Sequence, residues 1–263
     1  PEFMLHRDDP QGFTVITQPA HAWLAGQLAR AWGNRRFGSF EPHEDVCFAA
    51  EQHDLGWMQW ETAPTLNPKT GRPYNFMEMP VQEHAPLWTS GRPLALAQGR
   101  YSALLISMHG SGLYARHDTS ADSSRDRAAV KNFLDGAHAF ESDLTAQLSR
   151  DPYYRLFVSA DVLARNRRLI GVWDYISLLV CMGLRDRRSI ERVPAARDEI
   201  TLSLEPCGKS LTEIVLSPWP FKGKELTVFC EGRRLPLKFD DEKQMRKALL
   251  EAEYLRIEMR LRK

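Results

Sequence analysis

The chain has few of the features that would place it at once. Its 263 residues include only four cysteines, Cys47, Cys181, Cys207 and Cys230, and no two form a Cys-x-x-Cys pair. That spacing argues against a zinc knuckle. Cys47 and Cys181 lie in apolar helical contexts and are expected to be buried free thiols. No segment approaches the ~18 consecutive apolar residues of a membrane span. No secretory signal is visible, so a reducing cytoplasm is the expected location. There is no excess of one charge sign either. Lys and Arg number 35, Asp and Glu 34, and the net charge is +1. Nothing here demands nucleic acid or an anionic membrane as partner. No internal repeat is evident. The absence of a Gly-x-Ser-x-Gly elbow ranks Ser107 or Ser111 beside His109 low as a nucleophile system. Gly208-Lys209-Ser210 ends like a phosphate-binding loop but lacks the earlier glycine and the following helix, so it reads as a turn. Pro1-Glu2-Phe3, ahead of Met4, reads as a vector-derived scar.

What is present is an ordinary globular composition, 43% hydrophobic and 26% charged, with length for one large or two unequal domains. Gly12–Thr17 is a short strand candidate. Helices are expected from Pro19 to about Trp32, from Pro42 to about Trp60, over Tyr101–Tyr114, and over about 125–149 and 155–184. Between them, Thr62 to Pro93 is rich in Pro and Gly and reads as a long irregular connection. After Pro194 the period changes. Residues 200–204, 212–216, 226–229 and 255–261 alternate apolar and polar, as half-buried antiparallel strands do. Glu231-Gly232-Arg233-Arg234 reads as a turn, and Asp240–Ala252 as a helical insert.

The chemistry centres on His53-Asp54, set in the apolar, helical-looking run from Val46 to Trp57. An imidazole and a carboxylate are costly to bury side by side unless something holds them. A divalent metal is the usual holder. The second His-Asp pair, His117-Asp118, runs into a polar stretch and reads as loop. His21 lies upstream on the first helix, and Asp174 downstream among Trp173, Tyr175 and Ile176. His109 sits on an otherwise apolar helix, where a satisfied core histidine is the competing reading. His84 falls in the irregular segment and competes with a surface loop. Asp174 could instead pair with Arg165, Arg167 or Arg168, a run that would also suit a phosphate or carboxylate. Glu61, seven residues after Asp54, could serve as a base or support a ligand, or be a solvated helix end.

The order His21, His53-Asp54, Asp174, each on its own expected helix, resembles the HD superfamily of metal-dependent phosphohydrolases. The wider phrasing is more similar to an uncharacterised bacterial domain family with an HD-like pattern. His53-Asp54-Leu55-Gly56-Trp57, Trp60-Glu61, Ala103–His109, Asp174–Leu178 and Pro218-Trp219-Pro220-Phe221 carry that likeness and span most of the chain. The resemblance implies a site more than a substrate. With His84 and His109 the order becomes that of the two-metal HD proteins, which divide into phosphohydrolases and diiron oxygenases. Trp57 stands where the cyclic-dinucleotide phosphodiesterases have Lys, which argues against that subgroup.

The expectation is therefore a mainly α protein. An HD-like helical metal-binding domain over 4–194 is followed by a small antiparallel β-rich subdomain over 195–263. The ligand set is His21, His53, Asp54, His84, His109 and Asp174, holding one or two ions of a divalent transition metal such as Fe, Mn, Zn or Ni. Asp54, His109 and Glu61 are the expected catalytic groups. The expected activity is hydrolysis of a small phosphorylated or otherwise anionic substrate by a metal-activated water. The alternatives are a diiron oxygenase on the same ligands and a non-catalytic binding module whose β-rich tail is an interaction surface.

Overall fold

The computed structural model describes residues 4–75, 78–116, 123–208 and 212–263. The chain opens with a hairpin, β1 (Leu5–Asp9) and β2 (Gly12–Ile16). Helices α1 (Gln18–Ala31), α2 (His43–Glu51) and the single turn α3 (Met58–Glu61) follow. A two-residue ladder of β3 (Leu66–Asn67) and β4 (Arg72–Pro73) precedes α4 (Val81–Leu96). Then come α5 (Arg100–Tyr114), α6 (Ser124–Leu148) and α7 (Ala160–Met182). The last third holds β5 (Arg188–Pro194), β6 (Glu199–Pro206), β7 (Glu213–Ser217), β8 (Glu225–Leu235), α8 (Glu242–Glu251) and β9 (Tyr254–Arg262).

Seven strands form one sheet in the order β1-β2-β8-β9-β7-β6-β5. All neighbours are antiparallel except β7 and β9. This corrects the expected mainly α fold with a small C-terminal β-rich appendage. The protein is mixed α/β, 49% helix and 22% strand, and its sheet takes strands from both ends of the chain. The join is made where Phe13, Thr14 and Val15 of β2 pair with Leu235, Arg234 and Arg233 of β8. One core spans helices and sheet, with Leu24 and Leu28 of α1, Trp173 of α7 and Leu204, Val228 and Leu261 of the sheet in the same buried cluster. Gln27 of α1 clamps β8 with its amide, donating to Phe229 O at 2.8 Å and accepting from Phe229 N at 3.2 Å.

Three local expectations also change. The long irregular segment contains α4, whose two internal prolines, Pro86 and Pro93, had marked it as non-helical. A proline removes one backbone donor and strains the turn before it, but tertiary packing decides the outcome, and α4 lies against α5 and α6. Glu231–Arg234 is not a turn. Those residues continue β8, where Glu231, Gly232 and Arg233 pair with Arg256, Leu255 and Tyr254 of β9. Gly232 serves the close approach of β2, since a Cβ there would lie 2.6 Å from Thr14 Cγ2. Finally, the helix expected from Pro42 to Trp60 breaks after Glu51. Gln52 (φ −113°, ψ 10°) and Asp54 (φ −104°, ψ 19°) leave the helical region, and a short 3-10 turn, Leu55–Trp57, leads into α3.

Candidate metal centre

That break positions the site. The 3-10 turn packs onto α4 at Gly56, where a Cβ would strike Leu87 O at 2.3 Å. Only glycine permits this approach, which anchors the turn that His53 and Asp54 lead into. His53 and Asp54 thus project from a tight turn, not from a continuous helix, and both are buried. His53 donates from Nδ1 to Ala50 O at 2.7 Å. Its Nε2 therefore faces inward.

Three further helices bring their ligands to the same point. Thr17 caps α1, accepting from Ala20 N at 3.2 Å, and sets His21 one turn in on the buried face. His109 comes from α5 and Asp174 from α7, both buried. His21 Nε2 lies 2.7 Å from Asp54 Oδ2. His53 Nε2 lies 3.4 Å from Asp54 Oδ2 and 3.4 Å from Asp174 Oδ1, and His109 Nε2 lies 3.5 Å from Asp174 Oδ2. His21, His53 and Asp54 form one group able to hold a metal ion, and His53, His109 and Asp174 another, with ligand atoms in each group all within 4.8 Å of one another.

The donor set suits a cation. The Nε2 atoms of His53 and His109 are buried and make no hydrogen bond among the described residues. Two ligands each about 2.1 Å from a tetrahedral ion stand about 3.4 Å apart, which is the spacing found. His21 gives a further sign. The Ser177 hydroxyl donates to Asp174 O at 2.7 Å, so its oxygen accepts from His21 Nδ1 at 2.9 Å. The lone pair of a neutral His21 then sits on Nε2 and faces a carboxylate oxygen at 2.7 Å. At that distance the pair is hydrogen-bonded, and an ion held by both atoms would part them to ligand spacing.

The electrostatics agree. Burial opposes charge on Asp54 and Asp174, but His53 beside both, with His21 at Asp54, outweighs it and holds them below the ordinary carboxylate range. Burial also opposes a charged His53, and the two carboxylates outweigh it and raise its pKa well above the usual value. His109 goes the other way. Burial and the neighbouring His53 push it down to about 4, leaving a neutral imidazole with a free lone pair. Burial, with a smaller push from Asp54, raises the Glu61 carboxyl to about 8.

The cluster opens into a cavity of about 1200 Å³, whose walls include His21, Asp54, His109 and Asp174 with Trp57 and Trp88. His84 faces this cavity from α4, but its Nδ1 is tied to the Tyr114 hydroxyl and it stands outside both ligand groups. Glu61 is not on the cavity wall among the described residues. It accepts Gln18 N at 2.9 Å and so holds the first turn of α1, three residues before His21. Among the described residues Asp174 has no arginine partner. Arg165 binds the carbonyls of Ala195 and Phe37, and Arg168 those of Glu191 and Arg192. Ser107 donates to Glu141 at 2.9 Å and Ser111 to Met108 O at 3.4 Å, away from a triad. Pro218–Phe221 packs on the far end of α1, where Trp32 and Phe221 meet edge to face at 5.6 Å. His117-Asp118, and Lys209 and Ser210 of the turn, lie outside the described residues. Sequence reasoning missed Ser177 and Tyr114. Ser177 had a signal, being one helical turn after Asp174; Tyr114 had none.

A sequence model of the family described as a protein of unknown function (DUF3891) matches residues 4–237, and the chain belongs to that family. The match covers all five clustered residues. No curated protein and no solved structure matches the chain. No described helix is long and apolar enough to cross a membrane.

Proposed function

We propose that this protein is a metal-dependent hydrolase related to the HD phosphohydrolases, acting on a small phosphorylated or otherwise anionic substrate. One observation supports this above the others. Two buried histidine nitrogens without hydrogen bonds, His53 Nε2 and His109 Nε2, stand at ligand spacing around Asp174, at the foot of an open cavity. On this reading His21, His53, Asp54 and Asp174 hold the ion. Both ligand groups share His53 Nε2, and Nδ1 of that ring is committed to Ala50 O. One nitrogen lone pair serves one ion, so the arrangement favours a single ion with His109 beside it. A bound divalent ion would supply positive charge and make water a nucleophile near neutral pH. Asp54 and Asp174, held ionised, orient that water. His109, held neutral, donates to or accepts from the substrate. Glu61 acts as a positioning residue through α1.

Elemental analysis of the purified chain, followed by phosphate release from a panel of phosphomonoesters, tests the proposal. About one transition-metal ion per chain and metal-dependent phosphate release are expected. An empty site in carefully prepared protein would favour a binding module. Oxygen consumption by iron-loaded protein without phosphate release would favour an oxygenase.

A further inference from the structure

The cavity is longer than the metal centre requires, and its far end carries two uncommitted arginines. Arg167 lies on α7 seven residues before Asp174, and Arg116 follows α5 seven residues after His109. Seven helical residues span two turns, so Arg167 shares a face with Asp174 about 10 Å away, and Arg116 lies just past the C-terminal end of the helix that carries His109. The two helices run antiparallel here. His109 meets Asp174 at one end, and a Cβ on Gly112 would lie 3.7 Å from Arg167 Cδ and Nη1 nearer the other. Both arginines line the cavity. Among the described residues neither side chain makes a hydrogen bond or an ion pair, whereas Arg165 and Arg168 are bound to carbonyls and Arg192 to Glu199 at 2.8 Å. Acidic groups also line that end, Asp161 on α7 and Glu191, Asp198 and Glu199 on the β5–β6 side, and Glu199 is the one neutralised by Arg192.

The floor between the two ends is the second observation. It includes Gly112 and Gly171, both on the cavity wall. A Cβ on Gly171 would meet nothing within 4 Å. Glycine weakens a helix interior, and packing does not require one at this position. The space above it is what a side chain would take away.

We propose, resting on the hydrolase reading above, that the substrate is a small phosphomonoester carrying a second anionic group, phosphate or carboxylate. The scissile phosphate would lie at the metal centre, the body over Gly171 and Gly112, and the second anion on Arg116 and Arg167. Planar guanidinium forks match the oxygens of either group. In the reaction a water oxygen bonds to phosphorus, the ester P–O bond breaks, and the departing alkoxide takes the proton that the water loses. The anions would be roughly 6–10 Å apart, two helical turns less the reach of an arginine side chain.

The test uses the full chain loaded with Mn²⁺, titrated calorimetrically with methylphosphonate and with α,ω-alkane bisphosphonates of two to eight carbons. One chain length should bind at least tenfold more tightly than methylphosphonate. Arg116→Gln with Arg167→Gln should abolish that preference while leaving metal content and methylphosphonate affinity unchanged. Gly171→Val should weaken the bisphosphonate selectively, with an unchanged melting temperature. No length preference, or one that survives the double arginine variant, overturns the second subsite and leaves the metal reading standing. Absence of both metal uptake and methylphosphonate binding overturns the hydrolase reading and this proposal with it.

Discussion

His53 Nε2 and Asp174 Oδ1 face each other at 3.4 Å, and the nitrogen makes no hydrogen bond. The gap is wide for a hydrogen bond to a carboxylate and right for two ligands sharing an ion. Asp174→Asn keeps the shape of the side chain and removes its charge. It is expected to lower metal affinity by more than about 100-fold, beyond the 10–100-fold typical of outer-shell losses. Asp54→Ala should do the same. The helices should persist in both, because neither residue supplies core packing. Metal content and far-ultraviolet dichroism check this; full occupancy in either variant would place the ion elsewhere.

Ser177 stands behind His21, joining its Nδ1 to the backbone carbonyl of Asp174. It fixes which nitrogen of His21 carries the lone pair and ties two ligands together. Ser177→Ala should weaken metal binding about 10–100-fold and leave stoichiometry alone, with Ser177→Thr recovering much of the loss. An alanine variant that binds metal as tightly as the parent would show that His21 is oriented by packing instead.

Glu61 gives a pH signature. Its carboxyl titrates at about 8 in the folded chain against 4.5 for the ordinary group. Between those values the folded state keeps a proton that the unfolded state has lost. Stability from this group is therefore full below about 4.5 and declines as pH rises to about 8. Glu61→Gln keeps an acceptor for Gln18 N and cannot ionise. The variant should gain stability relative to the parent from pH 5 to 8. Denaturant melts of metal-free protein at several pH values measure the difference, and a constant gap would show that Glu61 ionises normally. Metal binding follows a different sign. An ion must displace a proton from His53, whose pKa is raised, so affinity should strengthen as pH rises.

Much of the candidate site was legible in the sequence, and less of the fold. His21, His53, Asp54, His109 and Asp174 stood out because each is polar in an apolar helical setting, and such groups need partners. Helices α5, α6 and α7 and strands β6 to β9 announce themselves by their periods. The closing of the sheet does not. β2 pairs with β8 more than 200 residues later, and no local pattern encodes a partner at that distance. His84 shows the same limit: its residue type suited a ligand, but its bond to Tyr114 depends on how α4 and α5 pack. The bend at Gln52–Asp54 was hidden because the run from Val46 to Trp57 is apolar enough to read as one helix, and the contact of Gly56 with α4 decides otherwise.

His109 decides the metal count. It could ligate a second ion, complete the shell of a first, or serve only the substrate. A second ion would need its own nitrogen ligands. His53 Nε2 is shared by both ligand groups and can serve one ion, and His84 stands outside both groups. That leaves one imidazole, His109, for a second ion, which would have to draw its other protein ligands from Asp54 and Asp174, the carboxylates that already hold the first. His109→Gln keeps size and hydrogen bonding and removes the usual ligand atom. On this argument the variant should retain one ion per chain at little-changed affinity and lose most turnover. A parent with two ions that falls to one in the variant would show two sites bridged by a carboxylate. A drop in melting temperature alone, with metal content and turnover unchanged, would return His109 to the core.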